Sequence, residues 1–548
     1  MINFQKDIMD YFPSKYVPRP QQTEILKKVQ SSLKNNKKFI VLQMPVGTGK
    51  SHLAATLAAL TAEPPDEFKT LVDAYRILDR GSHDDYLHQK WVESLDSFGC
   101  YVLTTTKTLQ DQYNILFDNS RILKGRRNYQ CTVDSDFDCE LAPCVVDSAI
   151  LNTCLAKNSC PYYNAHREAL REKFSVLSYS KFFQMPEFLR KRAIIVCDEA
   201  SELEDEVVSQ FSASIEYAKL SREGIHVPKL VNDNSEAARG WITDVIVNLS
   251  VVKKDLYNKV FNAKKKRSHQ VVNTIKLKYV SRLFDSLTLI NDNWQDAEFL
   301  IERDAEKVTF VPLYVDKLTS HIFNHAKCVV MLSATIIDHR TFASTLGIKD
   351  YSYFEVGSVF DPQKSPIYCP GKYSLNYQNI DKNLPKVVEQ AIKICDFYKG
   401  KSGIVHTHNF KINNAIQKSV GLNRRYLFRE PGITNERIVE EHAFRTDGTV
   451  LISPSLAYGT NLIDDLGRFQ VIMKLPFLPL SSRRIKTLSK KNHTWYIMKM
   501  LTHLVQACGR CTRSENDYSD TYILDGDAFK TIKDNWHKLP LEFTDRLK

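Results

Sequence analysis

Residues 39–60 read FIVLQMPVGTGKSHLAATLAAL. The apolar run at 39–42 predicts a buried strand, and the run at 53–60, which is rich in strong helix formers, predicts a helix. Between them, residues 44–52 (MPVGTGKSH) contain two glycines and predict a tight loop. The local order is therefore strand, loop, helix.

The loop has the residues that a phosphate group needs. Gly47 and Gly49 let backbone amides turn toward an anion, Lys50 brings a positive charge to the outer phosphates, and the Ser51 hydroxyl suits magnesium. The helix that follows directs its positive dipole end at the same point. The general pattern has glycine six residues before the lysine, where this chain has Met44, so the match is to the shorter GTGKS core.

Length and composition limit the class of protein. A chain of 548 residues should form more than one domain, and 25% charged with 43% hydrophobic residues is ordinary for a globular protein. We find no apolar run near the ~18 residues that span a bilayer, and the N-terminal MINFQKDIMD lacks a secretory pattern. We expect an intracellular protein without membrane contact, cytoplasmic, and nucleoid-associated if it is prokaryotic or viral.

The net charge of +11 is compatible with a polyanionic partner. The basic residues form two clusters. For each cluster, the alternative to binding a polyanion is a solvated helix face. The clusters are Lys253, Lys254, Lys259, Lys264, Lys265, Lys266, Arg267, Lys276 and Lys278, and Arg483, Arg484, Lys486, Lys490 and Lys491.

Apolar runs alternate with helical stretches along most of the chain. This alternation predicts α/β architecture, with parallel sheets covered by helices on both faces, and two such sheets on either side of about residue 346. Residues 206–310 are mainly helical in pattern and lysine-rich, and predict an inserted helical domain. The predicted strands are 39–42, 100–104, 193–197, 328–332, 403–406, 425–428, 449–452, 470–474 and 521–524.

Asp198 and Glu199 follow the apolar run at 193–197. At the carboxyl end of a buried strand, Asp198 would hold the magnesium shell while Glu199 orients and deprotonates the attacking water. The acidic run that follows is predicted to be solvated, and comprises Glu202, Glu204, Asp205 and Glu206.

Near the C-terminus, residues 506–513 read QACGRCTR. The spacing of Arg510 and Arg513 predicts two guanidiniums on one side of a helix, which suit the charge that builds on a transferring phosphate. Because they lie in the second sheet's domain, they would reach the nucleotide only when the two domains close. Cys508 and Cys511 are predicted to be packing residues.

Taken in order, these motifs resemble those of the XPD and DinG type of superfamily 2 DNA helicases. The resemblance covers nearly the whole chain, and includes the placement of a cysteine segment and of an inserted domain. It implies two RecA-like motor domains that couple hydrolysis of Mg²⁺-bound ATP to 5′-to-3′ movement on single-stranded DNA. The matching motifs are Arg19-Pro20-Gln21-Gln22, GTGKS (47–51), TTTKTLQ (104–110), GRRNYQC (125–131), CPYY (160–163), DEAS (198–201), LSAT (332–335) and QACGRCTR.

The resemblance assigns roles to individual residues. Arg19 and Gln22 would contact the base region of ATP, and its phosphates would lie on Gly47, Thr48, Gly49, Lys50 and Ser51. Ser333, Ala334 and Thr335 would link the ATP and DNA sites, and Thr407 would lie at a DNA-facing strand end. Gln506, Arg510 and Arg513 would sense the phosphates.

Two positions depart from the family pattern. Ser201 stands where the family usually has histidine, and Tyr458-Gly459-Thr460-Asn461 stands where it usually has Glu-Gly-x-Asp. These departures put the strength of coupling in doubt, although hydrolysis needs neither position.

Five of the twelve cysteines lie within thirty residues, at 131, 139, 144, 154 and 160. Such a group suits zinc or an iron–sulfur cluster, and the gaps of seven, four, nine and five residues do not match the usual paired spacing of zinc ligands. The resemblance favours a 4Fe–4S cluster. Cys131 and Cys160 are taken as ligands because the residues around them match the family motifs, and Cys154 because it lies close to Cys160 in the sequence. Because Asp138 and Glu140 flank Cys139 and oppose its ionisation, we take Cys144 as the fourth ligand.

The first hypothesis is a monomeric DNA helicase that acts on single-stranded DNA and on forked or tailed duplex, in repair or replication. Tyr162, Tyr163 and Tyr179 are candidates for stacking on bases. The alternative is an ATP-switched DNA-binding platform with little unwinding of its own, and no residue distinguishes DNA from RNA or from RNA–DNA hybrids. The predicted division is motor domain 1 at 1–120, 175–205 and 311–345, cluster domain at 121–174, helical arch at 206–310 and motor domain 2 at 346–548.

Overall fold

The structure is a computed structural model. It describes residues 6–66, 68, 69, 72, 98–135, 137–142, 144, 159–232, 234–261, 267–445, 448–454, 462, 464–512 and 517–548. The predicted functional residues Cys154, Thr460, Asn461 and Arg513 lie outside this set.

The strands form three sheets. They are β1 Phe39–Gln43, β2 Cys100–Thr104, β3 Arg121–Leu123, β4 Phe174–Ser178, β5 Arg192–Cys197, β6 Ala213–Glu216, β7 Phe299–Arg303, β8 Lys307–Pro312, β9 Ala326–Ser333, β10 Ser352–Glu355, β11 Ile367–Tyr368, β12 Gly403–His406, β13 Tyr426–Phe428, β14 Val450–Ser453, β15 Phe469–Ile472 and β16 Asp520–Ile523.

Helices fill most of the intervals between strands. They are α1 Pro20–Lys34, α2 Lys50–Leu60, α3 Lys107–Leu116, α4 Pro161–Arg171, α5 Tyr179–Gln184, α6 Leu203–Gln210, α7 Tyr217–Arg222, α8 Ser235–Phe261, α9 Arg267–Asp292, α10 Ser320–Phe323, α11 His339–Thr345, α12 Ile380–Phe397, α13 Phe410–Val420, α14 Asn435–Phe444, α15 Arg483–Lys491, α16 His493–Cys508, α17 Ala528–Asp534 and α18 Leu541–Thr544.

The first sheet is parallel and has seven strands in the order β10-β1-β9-β5-β2-β4-β3. Successive residues of its central strands enter different cores: Val41 packs on one face, whereas Ile40 and Leu42 pack on the other. Both faces are therefore covered, as expected for a parallel sheet whose strands are continuous apolar runs. The strands that precede GTGKS, DEAS and the serine of LSAT are β1, β5 and β9, so all three motifs lie at one edge of this sheet.

The second sheet is also parallel, with the order β11-β16-β15-β12-β14-β13. The prediction of an α/β protein with two parallel-sheet domains is confirmed, and every predicted strand is present to within a few residues. The first sheet nevertheless continues to β10, which pairs with β1, so it extends past the predicted boundary near residue 346. Likewise β3 belongs to the first sheet, although it lies within the predicted cluster domain.

The inserted region at 206–310 differs from the helical domain that was predicted. Its long helices α8 and α9 pack against each other, but β6, β8 and β7 form a three-stranded antiparallel sheet beside them. In β6 buried and exposed residues alternate, so the strand carries no continuous apolar run that would reveal it. Within the described part of the chain, no helix has the length and apolar character needed to cross a membrane.

Candidate nucleotide site at the edge of the first sheet

The loop after β1 has the predicted shape. Gly47 (φ +83°) and Gly49 (φ +87°) both adopt the left-handed conformation that favours glycine, and α2 begins directly after Gly49. A Cβ on Gly49 would lie 1.9 Å from Nε2 of Gln22, so a larger residue would collide there. Lys50 Nζ donates to the Met44 carbonyl at 3.4 Å, which places the ammonium group across the loop.

Two residues of the loop serve its own structure. Met44 is fully buried in the core beneath the sheet, and its amide donates to the Ser333 carbonyl at 2.8 Å. Thr48 is also buried, and its hydroxyl donates to the Pro45 carbonyl at 2.7 Å. The departure from the general pattern at Met44 is thus a packing feature.

Arg19 and Gln22 lie against the loop. The Arg19 guanidinium donates to the Gly47 carbonyl, and the Arg19 amide donates to Oε1 of Gln22 at 2.8 Å. Burial, together with the charge of Arg19, lowers the pKa of the neighbouring His52. Arg19 and Gln22 therefore lie next to the phosphate loop, which agrees with the expected contact to the base region of ATP.

Asp198 and Glu199 follow β5 as predicted. Asp198 is buried, and its amide donates to the Leu103 carbonyl at 2.9 Å. Burial and the adjacent Glu199 raise the Asp198 pKa, against the opposing effects of Lys50 and the Tyr113 hydrogen bond. Glu199 has φ +51°, an uncommon conformation for a non-glycine residue and one often found at active sites.

The oxygen donors at this point fit magnesium. Tyr113 donates its hydroxyl to Oδ2 of Asp198 at 2.9 Å, and the Ser51 side chain lies close to that phenol. Among the described residues no group of three His, Cys, Asp or Glu side chains is placed to hold a metal. A magnesium–nucleotide site does not need one, because one carboxylate, one hydroxyl, phosphate oxygens and water complete its shell.

The LSAT segment joins the neighbouring motifs. Ser333 ends β9, which lies between β1 and β5, and its hydroxyl donates to the Ser201 hydroxyl at 3.1 Å. The amide of Thr335 donates back to the Ser333 hydroxyl at 3.2 Å, and the amide of Ile336 donates to Oε1 of Gln43 at 3.0 Å. The loop after β9 is therefore held by side chains from both adjacent strands.

The second sheet's domain reaches this edge through α16. Gln506 Nε2 donates to the Ser201 hydroxyl at 3.2 Å, so Ser201 contacts both Ser333 and Gln506. Arg510 does not lie on a helix as predicted, because α16 ends at Cys508 and Gly509 caps it. Arg510 follows the helix. Burial of His406, together with the positive charge of Arg510, lowers the His406 pKa to about 4.

The C-terminal segment connects the end of α16 to the phosphate loop. Arg546 donates to the Cys508 carbonyl at 2.9 Å, and the neighbouring Glu542 carboxyl is influenced by the charge of Lys50. Burial raises the Glu542 pKa to about 7. The sequence carried no signal for the influence of Lys50 on Glu542, since the two residues are nearly 500 positions apart. The end of α16 and the phosphate loop therefore face the same cleft.

The acidic run after DEAS is not uniformly solvated. Glu204 is buried and accepts hydrogen bonds from Arg484 (2.6 Å) and from the Trp495 indole (3.0 Å), while Lys499 Nζ lies 3.0 Å from its carboxylate. These partners hold the Glu204 pKa well below its usual range, against the effect of burial. Sequence analysis missed this cluster because its two cations are some 280–295 residues away along the chain.

Two of the described thiols of the cysteine segment are in contact. Cys139 Sγ lies 4.0 Å from Cys160 Sγ, and the pKa of Cys139 is raised by burial, by Cys160 and by Cys131. The predicted ligand Cys144 is only partly buried and lies near Tyr163 and the Arg126 guanidinium.

The carboxylates that argued against Cys139 both have partners of their own. Asp138 Oδ1 accepts from two backbone amides, and the Glu140 carboxylate pairs with Lys278 and Arg282 of α9. The thiols suit a soft metal, but the described residues do not complete a metal centre.

Of the three tyrosines considered for base stacking, two are unavailable for it because they are buried. Tyr162 and Tyr179 are buried, and Tyr163 is half-buried. Lys181 donates to the Tyr162 hydroxyl at 2.8 Å, and Tyr179 donates to the Asp198 carbonyl at 3.2 Å. Thr407, which was predicted to lie at a DNA-facing strand end, is fully buried directly after β12.

Comparisons with known proteins agree with this architecture. A family model described as the res subunit of type III restriction enzymes matches residues 15–219, and one described as a helicase C-terminal domain matches residues 394–542. No curated protein sequence matches significantly.

Solved XPD structures share the fold over nearly the whole chain. An XPD helicase superposes with a TM-score of 0.61 at 16% identity, covering 95% of this chain and 98% of that one. Xpd4 of S. tokodaii gives 0.56 at 15% identity, covering 97% and 99%, and an apo XPD gives 0.55 at 15%, covering 94% and 98%.

Proposed function

We propose that the chain is an XPD/DinG-type helicase of superfamily 2, an ATP-dependent DNA helicase that moves 5′ to 3′ on single-stranded DNA. The two family models and the fold shared with solved XPD structures support this proposal. It would unwind forked or tailed duplex, as a monomer, in DNA repair or replication. Helicase domains imply ATP hydrolase activity, and the parts that we propose are unwinding, its coupling to Mg²⁺-bound ATP, the choice of DNA and the direction of movement.

The residues of the first sheet's edge would carry the hydrolysis. Backbone amides of the loop at 44–49 bind the phosphates, and Lys50 transfers its hydrogen bond from the Met44 carbonyl to the outer phosphate. Bound Mg²⁺ would neutralise phosphate oxygens beside Ser51 and Asp198. Glu199 would orient the attacking water and accept its proton.

The observation that carries the proposal is the contact between the two domains at Ser201. Gln506 donates to Ser201, which follows Asp198 and Glu199 by only a few residues. A structural change at the phosphates would therefore be transmitted to the second domain through a few contacts. Closure of the domains would bring Arg510 and Arg513 toward the transferred phosphate. Repeated closure would move the second domain along a bound strand.

We also propose that the cysteine segment holds a 4Fe–4S cluster on Cys131, Cys154 and Cys160, with Cys139 or Cys144 as fourth ligand. The contact between Cys139 and Cys160 supports Cys139 in that place. The cluster would have a structural role, since the segment is too short to build a core of its own. Protein purified without air should contain iron, and stoichiometric zinc without iron would overturn this assignment.

A strand-displacement assay tests the helicase proposal. We expect unwinding of a 5′-tailed duplex, none of a 3′-tailed duplex, and loss of unwinding and ATP hydrolysis in Lys50→Ala, because the variant lacks the phosphate-binding ammonium. Lys28→Ala is the matched control, since that exposed lysine pairs only with Glu24 on the surface of α1.

Three other outcomes would decide against parts of the proposal. DNA binding and slow ATP turnover without displacement would support the binding platform instead. Displacement of the 3′-tailed substrate alone would reverse the polarity. Displacement of RNA–DNA hybrids but not of DNA duplexes would change the substrate.

A further inference from the structure

Tyr113 lies at the boundary between α3 and the nucleotide site. The helix begins at Lys107 and is capped by Thr106, whose hydroxyl accepts from the Leu109 amide at 3.3 Å. One and two turns later, Gln110 and Tyr113 are the buried residues of this helix. The Tyr113 ring is fully buried, with its centroid 6.2 Å from those of Phe117 and Phe174.

The Tyr113 hydroxyl is directed at the residues proposed to hold Mg²⁺. It donates to Oδ2 of Asp198 at 2.9 Å, and the Ser51 side chain lies close to the same phenol. The hydroxyl therefore lies between the alcohol at the start of α2 and the carboxylate at the end of β5. Neither motif that supplies these two groups includes Tyr113.

The other atoms of Asp198 are held as well. Its Oδ1 accepts from the Glu199 amide at 3.0 Å, and its carbonyl accepts from the Tyr179 hydroxyl at 3.2 Å. With Oδ2 bound by Tyr113, both carboxylate oxygens have a fixed donor, and the side chain is confined to one rotamer. A hydrogen bond from a buried phenol to a carboxylate is charge-assisted, and belongs to the stronger class.

We propose that Tyr113 is a positioning residue of the magnesium–nucleotide site. It sets the orientation of the Asp198 carboxylate and its spacing from Ser51 before the nucleotide binds. The role rests on the proposed ATPase function, and Tyr113 itself does not contact the nucleotide. Partners that orient metal ligands in this way typically change metal affinity 10–100-fold when removed.

The test is Mg²⁺-dependent nucleotide binding by Tyr113→Phe, which keeps the ring and removes only the hydroxyl. Binding of a fluorescent ADP analogue to the full chain is measured at increasing MgCl₂ and in EDTA. We expect about tenfold more Mg²⁺ for half-maximal magnesium-dependent binding, with binding in EDTA within twofold of the wild type.

Tyr101→Phe is the matched control. Tyr101 is also a fully buried tyrosine of the first domain, and its hydroxyl donates to the Leu189 carbonyl at 3.0 Å. Its variant loses one buried hydrogen bond of similar length, so it should lower the melting temperature to a similar extent and leave the Mg²⁺ midpoint unchanged.

The outcomes separate this proposal from the proposed function. A wild-type chain that binds no nucleotide would overturn both. Normal magnesium-dependent binding with the same midpoint in Tyr113→Phe would overturn the role of Tyr113 alone, as would an equal loss of binding in EDTA and in Mg²⁺.

Discussion

The Ser201 hydroxyl contacts residues of both domains. It accepts from Ser333 at 3.1 Å and from Gln506 at 3.2 Å, so a single oxygen joins β5's loop, β9 and α16. Sequence analysis treated serine at this position as a weakness of coupling. The structure gives it two hydrogen-bond partners, which makes it a direct link between the hydrolytic site and the second domain.

We predict that Ser201→Ala weakens coupling more than hydrolysis. Each lost hydrogen bond is worth about 1 kcal/mol, which corresponds to about fivefold in an equilibrium. Stimulation of ATP hydrolysis by single-stranded DNA should fall about fivefold, while hydrolysis without DNA stays within twofold. Gln506→Ala should add little to Ser201→Ala, and a fully additive double variant would show that the Ser201–Gln506 contact is not used.

For single residues, the sequence reveals only those whose function depends on neighbouring residues in the chain. The loop around Lys50 and the carboxylates Asp198 and Glu199 follow apolar strands, and their chemistry is recognisable there. Tyr113 and Glu204 act through partners 85 and 280 residues away. Nothing in the local pattern identifies such pairs, because a buried phenol or carboxylate looks like any other tyrosine or glutamate.

Among elements, α6 and α16 form the principal buried polar contact between the domains. Glu204 of α6 is enclosed by Arg484 of α15 and by Trp495 and Lys499 of α16, and all four side chains are buried. The opposite end of α16 carries Gln506. The cluster therefore fixes the beginning of the helix while its end lies at the nucleotide site.

We predict that Glu204→Gln destabilises the protein by about 3 kcal/mol, because it leaves buried cations without their carboxylate. For a domain of this size the melting temperature should fall by roughly 6–12 °C. Asp205→Asn is the control, since Asp205 pairs with Lys499 at 2.9 Å but is half-exposed, and it should cost less than about 1 kcal/mol.

The Glu204 effect also has a defined pH dependence. The folded-state pKa lies below the value in the unfolded chain, so the stabilisation is complete above the unfolded pKa of about 4.5 and is lost as pH falls below it. The difference between wild type and Glu204→Gln should be constant above pH 5 and shrink at lower pH. A difference that grows with acid would contradict the buried-pair account.

The elements themselves were predictable where burial is continuous. Most interior strands of both sheets are apolar runs and were found, but the buried interior strand β4 was missed, β6 alternates and β10 is only partly buried. Helix ends depend on single residues: Gly509 stops α16 and places Arg510 beyond it, against the prediction of one long arginine-bearing face. The pattern of apolar residues predicts whether a segment is a helix or a strand more reliably than it predicts where the segment ends.

For the whole molecule, the cysteine segment and the inserted region are connected to each other as well as to the first sheet. Glu140, next to Cys139, pairs with Lys278 at 2.5 Å and with Arg282, both on α9. The two insertions are thus held at one spacing on the same side of the motor. If a DNA strand passes between them, this spacing decides whether the duplex is excluded.

We predict that Glu140→Gln reduces unwinding of a 5′-tailed duplex about three- to tenfold, because two partly buried ion pairs of up to about 1 kcal/mol each no longer hold the insertions together. ATP hydrolysis stimulated by single-stranded DNA should stay within twofold, since the nucleotide site is untouched, and iron per chain should be unchanged. Glu168→Gln is the control, because exposed Glu168 lies 3.8 Å from Arg121 and does not reach α9. Equal losses of unwinding and hydrolysis in Glu140→Gln would show that the insertions act on the motor and not on the duplex.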